Sequence, residues 1–141
     1  MSYSTPAAPQ LDALDDLASR YVDVDAMPWT DLPFEGVQAK VLLRDEHGVR
    51  TALVRMAPGA EIPFHEHTGL EQTYMLEGSL SDHEGEATAG QYVWRLKGNR
   101  HIARSPDGAL MLVMFETPNV FLSGELEGLT MEQFMAQQAA E

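Results

Sequence analysis

A chain of 141 residues is one domain by length, large enough to bury a core without disulfide or metal staples. Nine basic against 22 acidic residues give a net charge of -13, which disfavours nucleic acid and anionic membrane as partners. There is no cysteine, hence no disulfide and no thiolate-bound metal, and no apolar run approaches the roughly 18 residues of a membrane span. The first residues carry neither a basic n-region nor an apolar h-region, so a soluble cytoplasmic protein is expected.

Along the chain, residues 1–20 read as a mobile Ser-, Pro- and Ala-rich segment. A short helix is expected where Leu11, Leu14, Leu17 and Ala18 recur at helical spacing. From 21 to 124 the texture is that of an all-β barrel or sandwich: short β-rich runs separated by turn signals. Asp45-Glu46-His47-Gly48 separates Val41–Leu43 from Thr51–Val54, and Pro58-Gly59 closes the second run. Glu77-Gly78, Asp82–Gly85, Ala89-Gly90, Gly98-Asn99 and Ser105–Gly108 punctuate the remaining β-rich runs. The run 109–115 is apolar on both faces; with Tyr21–Trp29 it is expected to form an interface. A terminal helix is expected within residues 125–141, with Thr130 and Gln133 as a capping box.

The candidate site is His65, His67, Glu71 and His101. In a strand His65 and His67 share a face, Glu71 comes after enough residues to begin the next strand, and His101 arrives from another. Three imidazoles and a carboxylate suit a divalent transition metal: Fe(II), Mn(II), Zn(II) or Ni(II). His47 and His83 sit in Asp/Glu/Gly turns and are expected at the surface, as are the carboxylates of 84–86. Tyr74, Tyr92 and Trp94 are expected in the core or an interface, and Met111 and Met114 as core filler. Glu66 should face away from the histidines and Tyr74 away from Glu71, so no catalytic acid or base stands out.

These residues resemble the two motifs of the cupin superfamily. The first is matched by Gly59, His65, His67, Glu71 and Gly78; the second by Gly90, Gly98 and His101, with Leu96 and Ser105 in place of its proline and asparagine. The stretch Glu71–Asp82 resembles the ChrR-type subgroup, which includes anti-sigma regulators, stand-alone cupins and relatives of diketone dioxygenases. The resemblance implies a double-stranded antiparallel β-barrel, a jelly roll, with short N- and C-terminal helical segments. It also implies a metal inside, Fe(II) above the others, and a homodimer. Three functions are compatible with it: a dioxygenase taking O2 and a small diketone or related enolisable substrate; a non-redox isomerase, decarboxylase or hydrolase; or a small-molecule sensor. About 35 residues without cysteine or histidine precede the cupin region, which disfavours the zinc-binding anti-sigma domain of ChrR-type regulators.

Overall fold

In a computed structural model, which describes residues 2–140, ten strands succeed one another. They are β1 (Thr30–Asp31), β2 (Val37–Asp45), β3 (Gly48–Met56), β4 (Ala60–Glu66), β5 (Glu71–Ser81), β6 (Glu86–Thr88), β7 (Tyr92–Arg95), β8 (Arg100–Ser105), β9 (Ala109–Phe115) and β10 (Val120–Phe121). All pairings are antiparallel, in the order β1-β2-β3-β9-β5-β8-β4-β10, with β6 and β7 also pairing β5. The all-β expectation holds.

The sheet curls because β5 belongs to both walls. Its first part pairs β9 and β7, and its end pairs β6 and β8. A bulge between Met75 and Glu77 bends it between the two. There Gly78, at φ 73°, packs so tightly that a Cβ would fall on the Gly108 carbonyl, so this motif glycine is required by space and by backbone.

Period-two alternation sorts the side chains. On one wall Ala39, Ala52, Val54, Met111 and Val113 turn inward and are buried. On the other, β4 and β8 turn His65, His101 and Ala103 inward, with Phe121 of β10 beside His65. Met111 is core, as expected, whereas Met114 alternates to the outer face of the same strand. That face carries a row in register, Lys40, Leu53, Leu112, Tyr74 and Tyr92. Tyr74, Tyr92 and Trp94 are exposed and therefore not core residues.

Within the described residues the start of the segment expected to be mobile is hydrogen-bonded to β2 and the turn after it. Ser4 and Arg44 exchange backbone hydrogen bonds of 2.9 Å, and Thr5 Oγ1 donates to the Leu42 carbonyl at 2.7 Å. Met1 lies outside the described residues. In place of the expected helix there is a short 3-10 turn at Pro9–Ala13. Leu17 is 99% exposed, so an apolar stripe without a surface to cover cannot offset helix nucleation. The Arg20 guanidinium instead donates to the carbonyls of Asp15, Asp16 and Ala18. At the other end, α1 (Met131–Ala139) starts at the expected capping box, with both reciprocal Thr130–Gln133 bonds formed. Glu132 in its first turn accepts from the Val49 N–H at 2.8 Å and pairs with Arg44 at 3.1 Å, seating the helix against the barrel. No helix among the described residues is long and apolar enough to cross a membrane.

Candidate metal centre

The antiparallel register sets His65 of β4 directly opposite His101 of β8, with ring centroids 4.6 Å apart. His67 lies one residue beyond β4, but the pairing continues through the turn. Its N–H donates to the Asn99 carbonyl at 2.9 Å and its own carbonyl accepts from the Gly98 N–H at 2.8 Å. The alternation therefore survives the strand end, and the His67 ring stands 5.0 Å from His65 and 4.9 Å from His101. One ring nitrogen from each of the three lies within 4.8 Å of the others, and all three side chains are buried.

The hydrogen bonds decide which nitrogen is available. His65 Nδ1 donates to the Pro63 carbonyl at 2.7 Å, His67 Nδ1 to the Asn99 carbonyl at 2.9 Å, and His101 Nδ1 to Asp82 Oδ2 at 2.7 Å. Every partner is an acceptor, so each Nδ1 carries the proton and each Nε2 keeps its lone pair. Histidines prepared for metal carry this pattern, the outer nitrogen tied back and the inner one bare.

Glu71 opens β5 and lines the same cavity, but the mutually close set contains the histidines alone. Its Oε2 rests against His67 Nε2, while Asn119 Nδ2 donates to the same oxygen at 3.5 Å. His67 Nε2 is fully buried and, despite that contact, has no aligned hydrogen bond. A lone pair facing a carboxylate oxygen is repulsive unless the two share a cation, either a second proton on the imidazole or a metal ion bound by both. The donor set fits a divalent metal on this ground.

The electrostatics run the same way. Burial pushes the His65 imidazole down to about 4, with the neighbouring His101 and His67 adding to the effect, so it is neutral at neutral pH. Burial likewise lowers His101, against the opposing pull of its Asp82 bond. For Glu71, burial works to raise the carboxyl, but the His67 imidazole against it and the positive charge of Arg95 outweigh this and hold it below its ordinary value. Neutral imidazoles and an ionised carboxylate are the forms that bind metal.

Two residues escaped the sequence reading. Asp82, assigned there to a turn, is almost wholly buried and carries His101, and Arg95 at the end of β7 donates to it at 3.1 Å. Burial works against the ionised Asp82. Bonds from His101, the Glu84 and Gly85 N–H groups and Arg95 overcome it and hold the carboxyl well below the usual carboxylate range. No spacing rule would have found Asp82; its signal is topological, since the end of β5 pairs β8, the strand that bears His101. His47 and His83 are exposed, as expected, and Glu66 turns away to pair with Arg100 at 2.8 Å. Of the two motif departures, Leu96 is exposed, and buried Ser105 donates to the Ser79 carbonyl at 2.7 Å, joining β8 to β5.

The chain matches the ChrR Cupin-like domain over residues 17–119. It belongs to that cupin family. Among solved structures, an acetylacetone dioxygenase from Acinetobacter johnsonii is similar at 18% identity and a TM-score of 0.73, over 90% of this chain and 95% of that one. An RmlC-like cupin from Ralstonia eutropha JMP134 is similar at 21% identity and TM-score 0.66, over 88% and 89%. A chain of the Rhodobacter sphaeroides complex of SigE with the anti-sigma ChrR is similar at 22% identity and TM-score 0.58, over 67% and 51%. No curated protein matches the chain in sequence. These likenesses give the cupin fold, and the histidine cluster that can hold a metal sits inside this cupin's barrel.

Proposed function

We propose that this cupin is a metal-dependent dioxygenase, with Fe(II) held by His65, His67 and His101, and by Glu71 as a fourth ligand. Its substrate is a small diketone or a related enolisable compound. The observation that carries the reading is the buried cluster of three histidines whose Nδ1–H groups are each tied to an acceptor, which leaves the Nε2 lone pairs for a metal. The cavity measures about 130 Å³, well under the roughly 300–1,000 Å³ of pockets for drug-sized ligands, so it suits a small substrate. The likeness to an acetylacetone dioxygenase supports the choice of chemistry.

When bound, Fe(II) supplies the redox step and the sites at which substrate and O2 meet. The chain supplies the rest. Val54, Met111, Val113 and Phe115 give an apolar wall to the cavity that His65 and His101 also line. Asn119 and Glu71 present an amide and a carboxylate at the same cavity, able to orient a polar ligand and to accept a proton from an acidic carbon. We also assign a homodimer, supported by the outer face where Tyr74, Leu76, Tyr92 and Trp94 leave large apolar groups in water.

O2 uptake by protein reconstituted anaerobically with Fe(II), over a panel of β-diketones and α-hydroxyketones, tests the activity. Substrate-dependent uptake is expected. Turnover without O2 would move the chain to the non-redox class, and neither turnover nor uptake with any metal would leave the sensor reading.

A further inference from the structure

The three histidines are not held alike. His65 is fixed within its own strand, by the Pro63 carbonyl two residues back. The other two lead to one surface loop, residues 82–85, between β5 and β6. Asp82 Oδ2 accepts from His101 Nδ1 at 2.7 Å and from Arg95 at 3.1 Å. Its Oδ1 accepts from the Glu84 and Gly85 N–H groups at 2.8 and 3.1 Å. From the same loop Glu84 Oε1 accepts from Asn99 Nδ2 at 2.9 Å, and the Asn99 carbonyl accepts both His67 Nδ1 and the His67 N–H at 2.9 Å.

We propose that the 82–85 loop is a clamp that positions two of the three metal-binding histidines, Asp82 acting on His101 and Glu84 acting on His67 through Asn99. The two arms differ in strength. Asp82 is almost wholly buried, its carboxylate is met by four donors, and its bond to the imidazole is charge-assisted. Glu84 is exposed and acts one residue removed, so its hold is weaker. An ionised Asp82 also fixes the tautomer, because a carboxylate can only accept and so keeps the His101 proton on Nδ1. Asp82 and Glu84 are positioning residues; neither needs to touch metal or substrate. The inference rests on the proposed metal site, and the test keeps the two separable.

The test uses the full chain stripped of metal and titrated with Co(II) against a chromophoric chelator, alongside the Co(II) visible spectrum. Thermal melts and histidine ring 15N shifts of the metal-free protein complete it. Asp82→Asn should weaken Co(II) binding by about 10- to 100-fold, the usual cost of losing such a partner, and should shift the visible bands. In the metal-free protein it should move part of the His101 population to the Nε2–H tautomer, since the new amide can donate to Nδ1, while His65 keeps its shifts. Glu84→Ala should weaken Co(II) by a smaller factor and perturb His67 but not His65, with the melt nearly unchanged. It therefore carries the test if Asp82→Asn does not fold. Wild-type Co(II) affinity and wild-type His101 shifts in Asp82→Asn would overturn the clamp, as would unaltered His67 shifts in Glu84→Ala when only that variant folds. A wild-type chain that binds no Co(II) would instead overturn the metal reading, and the ring shifts would still judge the clamp.

Discussion

The two walls of the barrel obey one alternation rule and carry opposite chemistry. On β2, β3 and β9 the inward positions hold Ala39, Ala52, Val54, Met111 and Val113; on β4 and β8 they hold His65, His101 and Ala103. The first wall gains stability from each buried carbon, about 25 cal/mol per Å² removed from water. The second surrenders apolar burial for three imidazoles, and it can do so only because each Nδ1 has an acceptor at hand. Substitutions on the first wall should therefore change stability and spare the metal, and those on the second should do the reverse.

The largest separation is expected from His65→Ala and His101→Ala, which should abolish metal retention by elemental analysis while circular dichroism still reports a folded barrel. Full metal content in both variants would remove the distinction. Next in size, Met111→Ala on the apolar wall should cost about 2–5 kcal/mol by denaturant unfolding, with its buried thioether lost from the core. It should leave the metal stoichiometry unchanged; loss of metal there would show the walls to be coupled.

A third prediction uses pH on the metal-free protein. His65 is pushed down to about 4 in the fold, while in the unfolded chain it titrates near the ordinary value of 6.5. Below 6.5 the unfolded state binds the proton that the folded state refuses. The stability tied to neutral His65 is therefore full above pH 6.5 and drains away as pH falls toward 4, and His101 adds to it with the same sign. The melting temperature should fall across that window, and His65→Gln should flatten the fall. A constant melting temperature from about pH 6.5 to 4 would contradict burial of a neutral imidazole. The smallest effect concerns the outside of the barrel. Trp94→Glu should shift the chain toward monomer in light scattering with no change in metal content, and an unaffected dimer would place the interface elsewhere.

How far the sequence could be read depended on the range of each interaction. His65 and His67 were legible because two residues apart is a strand-face relation, and His101 because a turn glycine and a β-rich run announced its strand. The capping box at Thr130 and Gln133 is likewise local, and it formed. What failed depended on tertiary partners. Leu11–Ala18 has helical spacing but no surface to pack on, so a 3-10 turn resulted. For Tyr74, Tyr92 and Trp94, expected in the core or an interface, only the core half fails, because the curl of the whole sheet fixes which face of their strands meets the core. Asp82 reads as a turn residue and is one; that it also carries His101 arises from β5 crossing between walls.

The central claim is that three imidazoles converge on one metal ion, each through Nε2. X-ray absorption on protein loaded with one equivalent of Zn(II) or Fe(II) measures this directly. The account predicts about three histidine nitrogens, at about 2.0–2.1 Å for Zn(II), with the outer-shell scattering of imidazole rings and an added carboxylate oxygen from Glu71. A coordination shell of oxygens alone, without imidazole scattering, would contradict it.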